Sequence, residues 1–592
     1  MTVKGAPGAA SAGTPGEGAL VTSVLSTLLR EDVVGLRSRG TAHERADGTW
    51  LRLGTGDRDA LLMPVSAARP GFQCTLEARL PLLRRESDGV DLADIDSIMT
   101  VLAGLADPVD RDGFDAFATE WRQALAVLRL HNATRDEVNA QLTDTYGPDP
   151  ARWTGPAAGL AFDTLAARTD HPVYPTGRSR SCLTEGELRS YAPEFHQRFT
   201  LRWLAVPRDR LTVHGEADRL AWPAPSSLGL PPGLDDTHRA IPVHPLTAGG
   251  PLRQALADTG HDTHLARTPY LEVLPTLSMR TVALTADPGI HLKLPLATAT
   301  LGRLNRRTIK SGTLTDGAAV GRLLETVIGR TPRFRDTVLI ADESVFVHAG
   351  HELLAVLVRR YPAGLGETTV VPMAALLSPS PGGGLIIDRL ADRFYSGDPV
   401  ALLDAALTLL LDWQTTLFGH GIALESHQQN ISLLLDRDSG RTRLRLLFKD
   451  NDGPRVNAAR MRESLGQGAP AQEEFDDTRI LTDSDGPALD LFTTITVHLC
   501  AGAYAFGLAR YGRAPLDDLL SLVRDRLAEA CERLGTGPGQ PGAVLRAHVL
   551  DSTDLPVKAM VTAGTLLSKD RSGASDINKH YSTGPNYLLR GA

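Results

Sequence analysis

The chain has few of the residues that would commit it to a metal knuckle, a disulfide scaffold or a membrane. Its four cysteines, Cys74, Cys182, Cys500 and Cys531, stand far apart with no Cys-x-x-Cys pair. That argues against a zinc knuckle and a disulfide framework and fits a reducing cytoplasm. No His-x-x-x-His or His-Glu-x-x-His spacing occurs, so zinc is not expected. Basic residues are outnumbered, with a formal net charge of −8, which excludes a general nucleic-acid binder because affinity for phosphate backbones needs clustered Lys and Arg. Met1 to Gly18 lacks the apolar core of a signal peptide and reads as a disordered tail. The most apolar helical stretch, Ala401 to Phe418, carries Asp404 and Asp412 and is too short and too charged for a bilayer. Nothing is expected to enter a membrane.

What is present is an ordinary globular composition spread over 592 residues, too many for one core and enough for two or three sub-domains. Helical spacing over 19–37 and 115–130, with short strands at 49–53, 60–64 and 72–80, predicts a mixed first unit without evident chemistry. From His171 the texture changes. His171-Pro-Val-Tyr-Pro-Thr-Gly-Arg178-Ser-Arg180 is a proline-stiffened loop whose guanidiniums suit an anion, or simply pair with local acids. Tyr191-Ala-Pro-Glu-Phe195 and Ala240-Ile-Pro-Val-His244-Pro245 follow.

Leu274 to Val282 is expected to be one strand with Thr276, Ser278 and Arg280 on a face and Thr281 on the other, followed by the strand Ile290 to Leu296 carrying Lys293. Thr298, Thr300, Arg303, Arg306, Arg307 and Lys310 come next. Hydroxyls and cations converging from adjacent strands favour phosphate binding over a basic edge that resists aggregation. The densest stretch is Gly419-His-Gly-Ile-Ala-Leu-Glu425-Ser-His427-Gln-Gln429-Asn430, between a helical pattern and the apolar run Ile431 to Leu435. If it is extended, Glu425, His427 and Gln429 line one wall. A hairpin through Leu446-Leu-Phe-Lys449-Asp450-Asn-Asp452 would bring Asp450 or Asp452 beside Glu425 and Asn430, a set of hard oxygens suited to the Mg²⁺ of a nucleotide. Two helical segments, 488–510 and 515–534, precede Pro556-Val-Lys558, a lysine in an apolar setting.

In this order the motifs from His171 to the C-terminus resemble those of the IucA/IucC family of NRPS-independent siderophore synthetases. The resemblance implies an α+β fold shaped as a cupped hand: a thumb (19–165), β-rich fingers (166–384) and a mostly helical palm (385–592) with a kinase-like nucleotide cleft. It implies a cytoplasmic, homodimeric ligase that uses ATP and Mg²⁺ to adenylate a polycarboxylate, citrate first, and passes the acyl group to an amine, hydroxylamine or alcohol. Ser278, Arg280, Thr281, Lys293 and Asn430 would hold ATP, and Glu425 and Asp450 the metal. His171, Thr300, Arg303, Arg306, His427, Gln429 and Lys558 would grip the acid, with Arg303, Arg306, His427 and Lys558 acting in catalysis. Tyr174 stands where the family often has a second His, Arg178 where it has Lys, and Cys182 where it has Gly; Leu246 and Thr247 replace Trp and Gln, and Lys449 replaces Arg. These departures bear on the substrate more than on the nucleotide. The alternatives are a phosphotransferase releasing ADP, and a binding protein of the same fold without turnover.

Overall fold

Apolar residues spaced for one face of a helix give Glu17–Arg30, which buries Leu20, Val24, Leu25, Leu28 and Leu29. The computed structural model describes residues 16–54, 60–67, 71–216, 222–260, 262–573 and 579–591. Most of the expected tail lies outside that range, and its last two positions already belong to this helix. The helix stops short of the expected residue 37 because Asp32 takes a left-handed conformation (φ 54°), and its side chain accepts hydrogen bonds from the Arg37 and Ser38 N–H groups. A second long helix, Arg111–Ala133, buries Phe114, Phe117, Trp121, Ala124 and Val127. Around the strands Gly48–Leu53 and Leu61–Ala67 an antiparallel sheet of six strands completes the first unit.

The middle of the chain forms a seven-stranded sheet in the order Phe199–Thr200, Glu272–Pro275, Thr281–Leu284, Ile290–Lys293, Ala355–Arg360, Asp342–His348, Thr212–His214. Arg202–Pro207 lies between His238–Val243 and His264–Leu265 in a smaller sheet. The single strand expected over 274–282 is two strands. Met279 adopts φ 63°, and the chain turns through Thr276 to Arg280 before re-entering the sheet at Thr281. A four-stranded sheet then joins Val338–Ile340, Arg441–Phe448, Ile431–Asp438 and Thr369–Pro372. Strands from both sides of residue 384 therefore share one sheet.

The last third is helical, built on Pro399–Gly419, Leu516–Arg533 and a continuous helix from Gly486 to Arg510 whose middle, Phe492–Gly502, is wound as a π-helix. Pro399–Gly419 and Gly486–Arg510 are long and apolar enough to cross a membrane by length and composition, and the first is longer than the sequence suggested. Their apolarity has another use here: 61% and 83% of their apolar windows are buried inside the protein. The helical part ends in an unexpected two-stranded ribbon, Asp554–Lys558 against Tyr581–Pro585. One contiguous apolar core runs from Leu20 through Phe162, Leu407, Phe492 and Leu588, so the first and last elements of the chain pack into the same interior.

Candidate active site

The hairpin of Ile431–Asp438 and Arg441–Phe448 is antiparallel with Ile431 opposite Phe448. Its open end continues the ladder by one bond, Lys449 N–H to the Asn430 carbonyl at 3.0 Å. That bond brings the Glu425–Asn430 segment beside Asp450, as the sequence suggested. The segment itself is not extended. The His427 N–H bonds to the Glu425 carbonyl at 3.0 Å and the Asn430 N–H to the His427 carbonyl at 2.8 Å, so it curls into a turn. Ser426 is buried beneath it, and Gln428 donates to the Leu499 carbonyl.

Asp450 sits in the left-handed region (φ 61°) and is held there by its N–H, which donates to Glu343 at 2.8 Å. Glu343 is itself ion-paired with buried Arg359. The Asp450 carboxylate meets Lys293 and, at 3.4 Å, Arg359; Lys293 reaches Asp452 at 3.1 Å. Burial alone would raise the Asp450 pKa, but Lys293, Arg359 and Arg280 outweigh it and keep the group ionised. Thr281 lies opposite Lys293 in the register, so the two side chains share one face of the sheet. Ser278 Oγ and Thr281 Oγ1 are 3.2 Å apart. Arg280 donates to the Thr308 carbonyl at 2.8 Å, while its Nε is buried with no partner.

Arg307 joins this group. It donates to the Ser278 carbonyl at 3.3 Å, and burial, followed by the repulsion of Arg280, lowers its pKa to about 9. Its neighbour Arg306 is exposed and paired with Glu352 at 3.2 Å. Backbone bonds from Arg307 to both Leu296 and Thr298 hold a tight ladder in which successive side chains alternate. That alternation separates the inward arginine from the outward one, and a run of three cations in five positions concealed it in the sequence.

The second group forms around Glu425. Lys558 comes from the ribbon strand Asp554–Lys558, where it pairs with Tyr581, and Lys579 precedes the partner strand. The two ammoniums reach Glu425 at 3.1 and 3.2 Å. They overcome the desolvation of Glu425 and bring its pKa down to about 2. His427 is lowered to about 4 by burial, against the pull of Glu425. His171 is lowered to about 3 by burial, then by His427, Lys558 and Arg30. Both imidazoles are therefore neutral at neutral pH and resist protonation. His427 also feels Asp450 and Arg307, so it stands between the two groups.

Other expected residues are placed elsewhere. Glu425 and Asp450 each hold two cations of their own. Asp450 and Asp452 share Lys293, and Asn451 Oδ1 between them in sequence is buried without a partner; these are the oxygens available here to a hard cation. Thr300 and Arg303 ride on a turn fastened by Leu304 N–H to the Gly564 carbonyl at 3.0 Å and by Arg303 N–H to Thr565 Oγ1 at 3.2 Å. The Arg303 side chain is exposed and has no ion pair among the described residues. The Gln429 N–H faces His427 Nδ1 at 3.4 Å. In the proline-stiffened loop, Arg178 is committed to Asp170 at 2.8 Å and to His131 at 2.7 Å, and Arg180 to Glu194 at 3.1 Å; they pair with local groups. Tyr174 is fully buried, its hydroxyl 3.4 Å from Thr565. Lys579 and Arg359 were not singled out by sequence, because isolated cations carry no spacing signal, and Arg307 was noted only as one of the basic run after Thr298. Among the described residues His238, Asp262 and His264 bring ligand atoms within 4.8 Å of one another, on the sheet built around Arg202–Pro207.

Residues 160–378 match the IucA / IucC family model, and residues 401–572 match the model described as ferric iron reductase FhuF-like transporter. The staphyloferrin A synthase of Staphylococcus aureus is 24% identical over 347 residues, 55% of this chain and 56% of that protein. The rhizobactin siderophore biosynthesis protein RhbC of Rhizobium meliloti is 27% identical over 344 residues, 52% and 56% of the respective chains. The chain thus spans a little over half the length of these curated relatives. Solved structures align over nearly the whole chain. The ATP-bound aerobactin synthetase IucA from Klebsiella pneumoniae superposes with a TM-score of 0.68 at 18% identity, covering 96% of this chain and 99% of that one. The petrobactin biosynthesis protein AsbB from Bacillus anthracis gives 0.73 at 16%, covering 97% and 96%. The IucA / IucC match lies over the proline-stiffened loop and the Ser278–Lys293 hairpin, and the fold of the whole chain is similar to that of these synthetases.

Proposed function

We propose that this protein is an AMP-forming ligase of siderophore-type biosynthesis, which adenylates a polycarboxylate and condenses it with an amine, hydroxylamine or alcohol. The observation that carries this reading is the pair of oppositely equipped groups meeting at His427. One is rich in guanidinium and ammonium (Arg280, Arg307, Lys293) with acids behind it; the other has neutral imidazoles and lysines (His171, His427, Lys558, Lys579). The first suits the phosphates of ATP, with Ser278, Thr281 and Asn430 as nearby polar contacts. The second suits a carboxylate-rich acid. Mg²⁺, when bound, would neutralise phosphate charge at Asp450, Asn451 and Asp452. Citrate is the first candidate acid, the cleft is read as kinase-like within a cupped hand, and a homodimer in the cytoplasm is the expected setting. The four free cysteines are compatible with that compartment.

In the first half-reaction a carboxylate oxygen attacks the α-phosphorus, the bond to pyrophosphate breaks, and an acyl adenylate forms. Arg280 and Lys293 stabilise the charge that grows on the phosphate oxygens. In the second, the nucleophile's nitrogen or oxygen bonds to the acyl carbon, the bond to AMP breaks, and the nucleophile's proton is lost to water, with the neutral imidazoles of His171 and His427 placed to hydrogen-bond the incoming group. No covalent bond to the protein is needed.

Purified protein incubated with Mg·ATP, hydroxylamine and a panel of acids (citrate, 2-oxoglutarate, succinate) decides the matter. AMP, pyrophosphate and hydroxamate formed with one acid support the ligase. ADP in place of AMP would make it a phosphotransferase, and saturable ATP binding without turnover on any acid would make it a binding protein.

A further inference from the structure

Behind His171 lies a cavity of about 230 Å³. Its walls come from the first helix, the first sheet, the proline-stiffened loop and the end of the helix at Arg510. Two guanidiniums line it. Arg30 is only 7% exposed and its Nε has no partner. Arg30 donates to the Val173 carbonyl at 2.6 Å, and the acid next to it, Glu31, is 3.9 Å away. Glu31 is already engaged: its oxygens accept from the Val561 N–H at 3.1 Å, the Thr562 N–H at 2.8 Å and the Thr562 hydroxyl at 2.9 Å. A buried guanidinium with so little compensation is costly to keep charged without an anion. At the rim, Arg510 is exposed and has no hydrogen bond or ion pair among the described residues. Glu77, also exposed, lines the same cavity.

We propose that this cavity is the nucleophile subsite and that the nucleophile is an amine carrying its own carboxylate, an amino acid with a side-chain amine or hydroxylamine. This rests on the ligase reading and deepens it. His171 forms the wall shared with the acyl site, so an amine entering from the cavity meets the activated carboxyl at His171. The carboxylate at the far end of the molecule falls to Arg510, whose guanidinium offers a planar fork for it, with Arg30 adding positive charge from the buried wall. Glu77 supplies the counter-charge for an α-ammonium. A volume of about 230 Å³ suits one small metabolite.

The test uses matched pairs that differ only in the carboxylate: lysine against cadaverine and ornithine against putrescine, with both enantiomers of each amino acid. Equilibrium binding to the intact protein without ATP reads the cavity alone, while acid-dependent ATP–pyrophosphate exchange by the wild-type protein reads the activation step. The inference expects at least one amino acid to bind about tenfold or more tightly than its decarboxylated partner. Arg510→Gln should erase most of that preference while leaving cadaverine and putrescine binding in place, and Arg30→Lys should retain folding and weaken only the amino acids. Equal binding within each pair, tighter binding of the diamines or of spermidine, or Arg510→Gln weakening both members alike would each overturn it. Loss of exchange with every acid while the amino-acid preference persists would instead overturn the ligase reading and leave a carboxylate-binding cavity.

Discussion

Arg280 carries a guanidinium with one partner on the Thr308 carbonyl and an Nε with none, so most of its donors remain for a ligand. Arg280→Ala should reduce acid-dependent pyrophosphate release by about 10²- to 10³-fold, the usual cost of removing one oriented charge from a developing anion. Circular dichroism and melting temperature should stay near wild type, and an unchanged rate would remove the phosphate assignment. His244 gives a prediction of a different kind. The Ile-Pro-Val-His-Pro element drew attention as chemistry, yet His244 is completely buried, its ring edge-on to Tyr191 and Phe199, its Nδ1 accepting from Leu246 and its Nε2 unpartnered. Burial lowers its pKa from 6.5 to about 3. The folded state therefore keeps it neutral while the unfolded chain takes up a proton below about 6.5. Its stabilising contribution is complete above that pH and is lost as pH falls from 6.5 towards 3, by up to about 1.4 kcal/mol per pH unit. Melting temperature against pH should fall less steeply between 6 and 4 in His244→Phe than in wild type.

At the scale of elements, the short π-turn Thr562–Leu566 is where distant parts of the chain meet. Glu31 caps its N–H groups, and the Thr565 hydroxyl donates to buried Glu120 at 3.0 Å. Gly113 and Gly302 press against its backbone. A Cβ at Gly302, where φ is +112°, would lie 2.8 Å from the Gly564 carbonyl oxygen; one at Gly113 would lie 1.8 Å from the Leu566 carbonyl oxygen. Gly302→Ala should therefore cost about 1–3 kcal/mol through strain and displacement, read as a lower denaturation midpoint. Gly113→Ala should destabilise more strongly, since the obstacle is backbone of a different element and neither side can rotate away. No pattern in the sequence announces this junction. Glycines in a helix and in a loop, and a hydroxyl near the end of the chain, acquire meaning only when the fold superposes them.

For the whole molecule, the shared core means that the C-terminal ribbon is not an appendage. Tyr587 and Leu588 are fully buried in the same interior as Leu25 and Phe492, and Lys558 and Lys579 from the ribbon neutralise Glu425. A chain ending at residue 550 should fail to give a single cooperative unfolding transition, because it exposes that interior and leaves an acid in the cleft without its cations. Ligand linkage gives a complementary readout on the intact protein. Mg·ATP at about 100 times its Kd should stabilise the folded state by about 2.7 kcal/mol, seen as an upward shift in melting temperature that is absent with Lys293→Met. An equal shift in both proteins would place the nucleotide elsewhere.

The sequence by itself determined the kinds of chemistry and most of the elements. Helical and strand periodicities marked Glu17–Arg30, Arg111–Ala133, Pro399–Gly419 and the Ile431–Phe448 hairpin, because one-sided burial imposes a period that survives in the residue order. The same hairpin logic foretold that Asp450 would come back beside Asn430. Only the tertiary structure decided which charges pair. Glu425 faces Lys558 and Lys579 while Asp450 faces Lys293 and Arg359. Arg307 turned inward and Arg306 outward through a backbone ladder set by Leu296 and Thr298. Periodicity records which face of an element is buried; the partner a charge meets across a cleft depends on how separate elements dock, and that leaves no period in the chain.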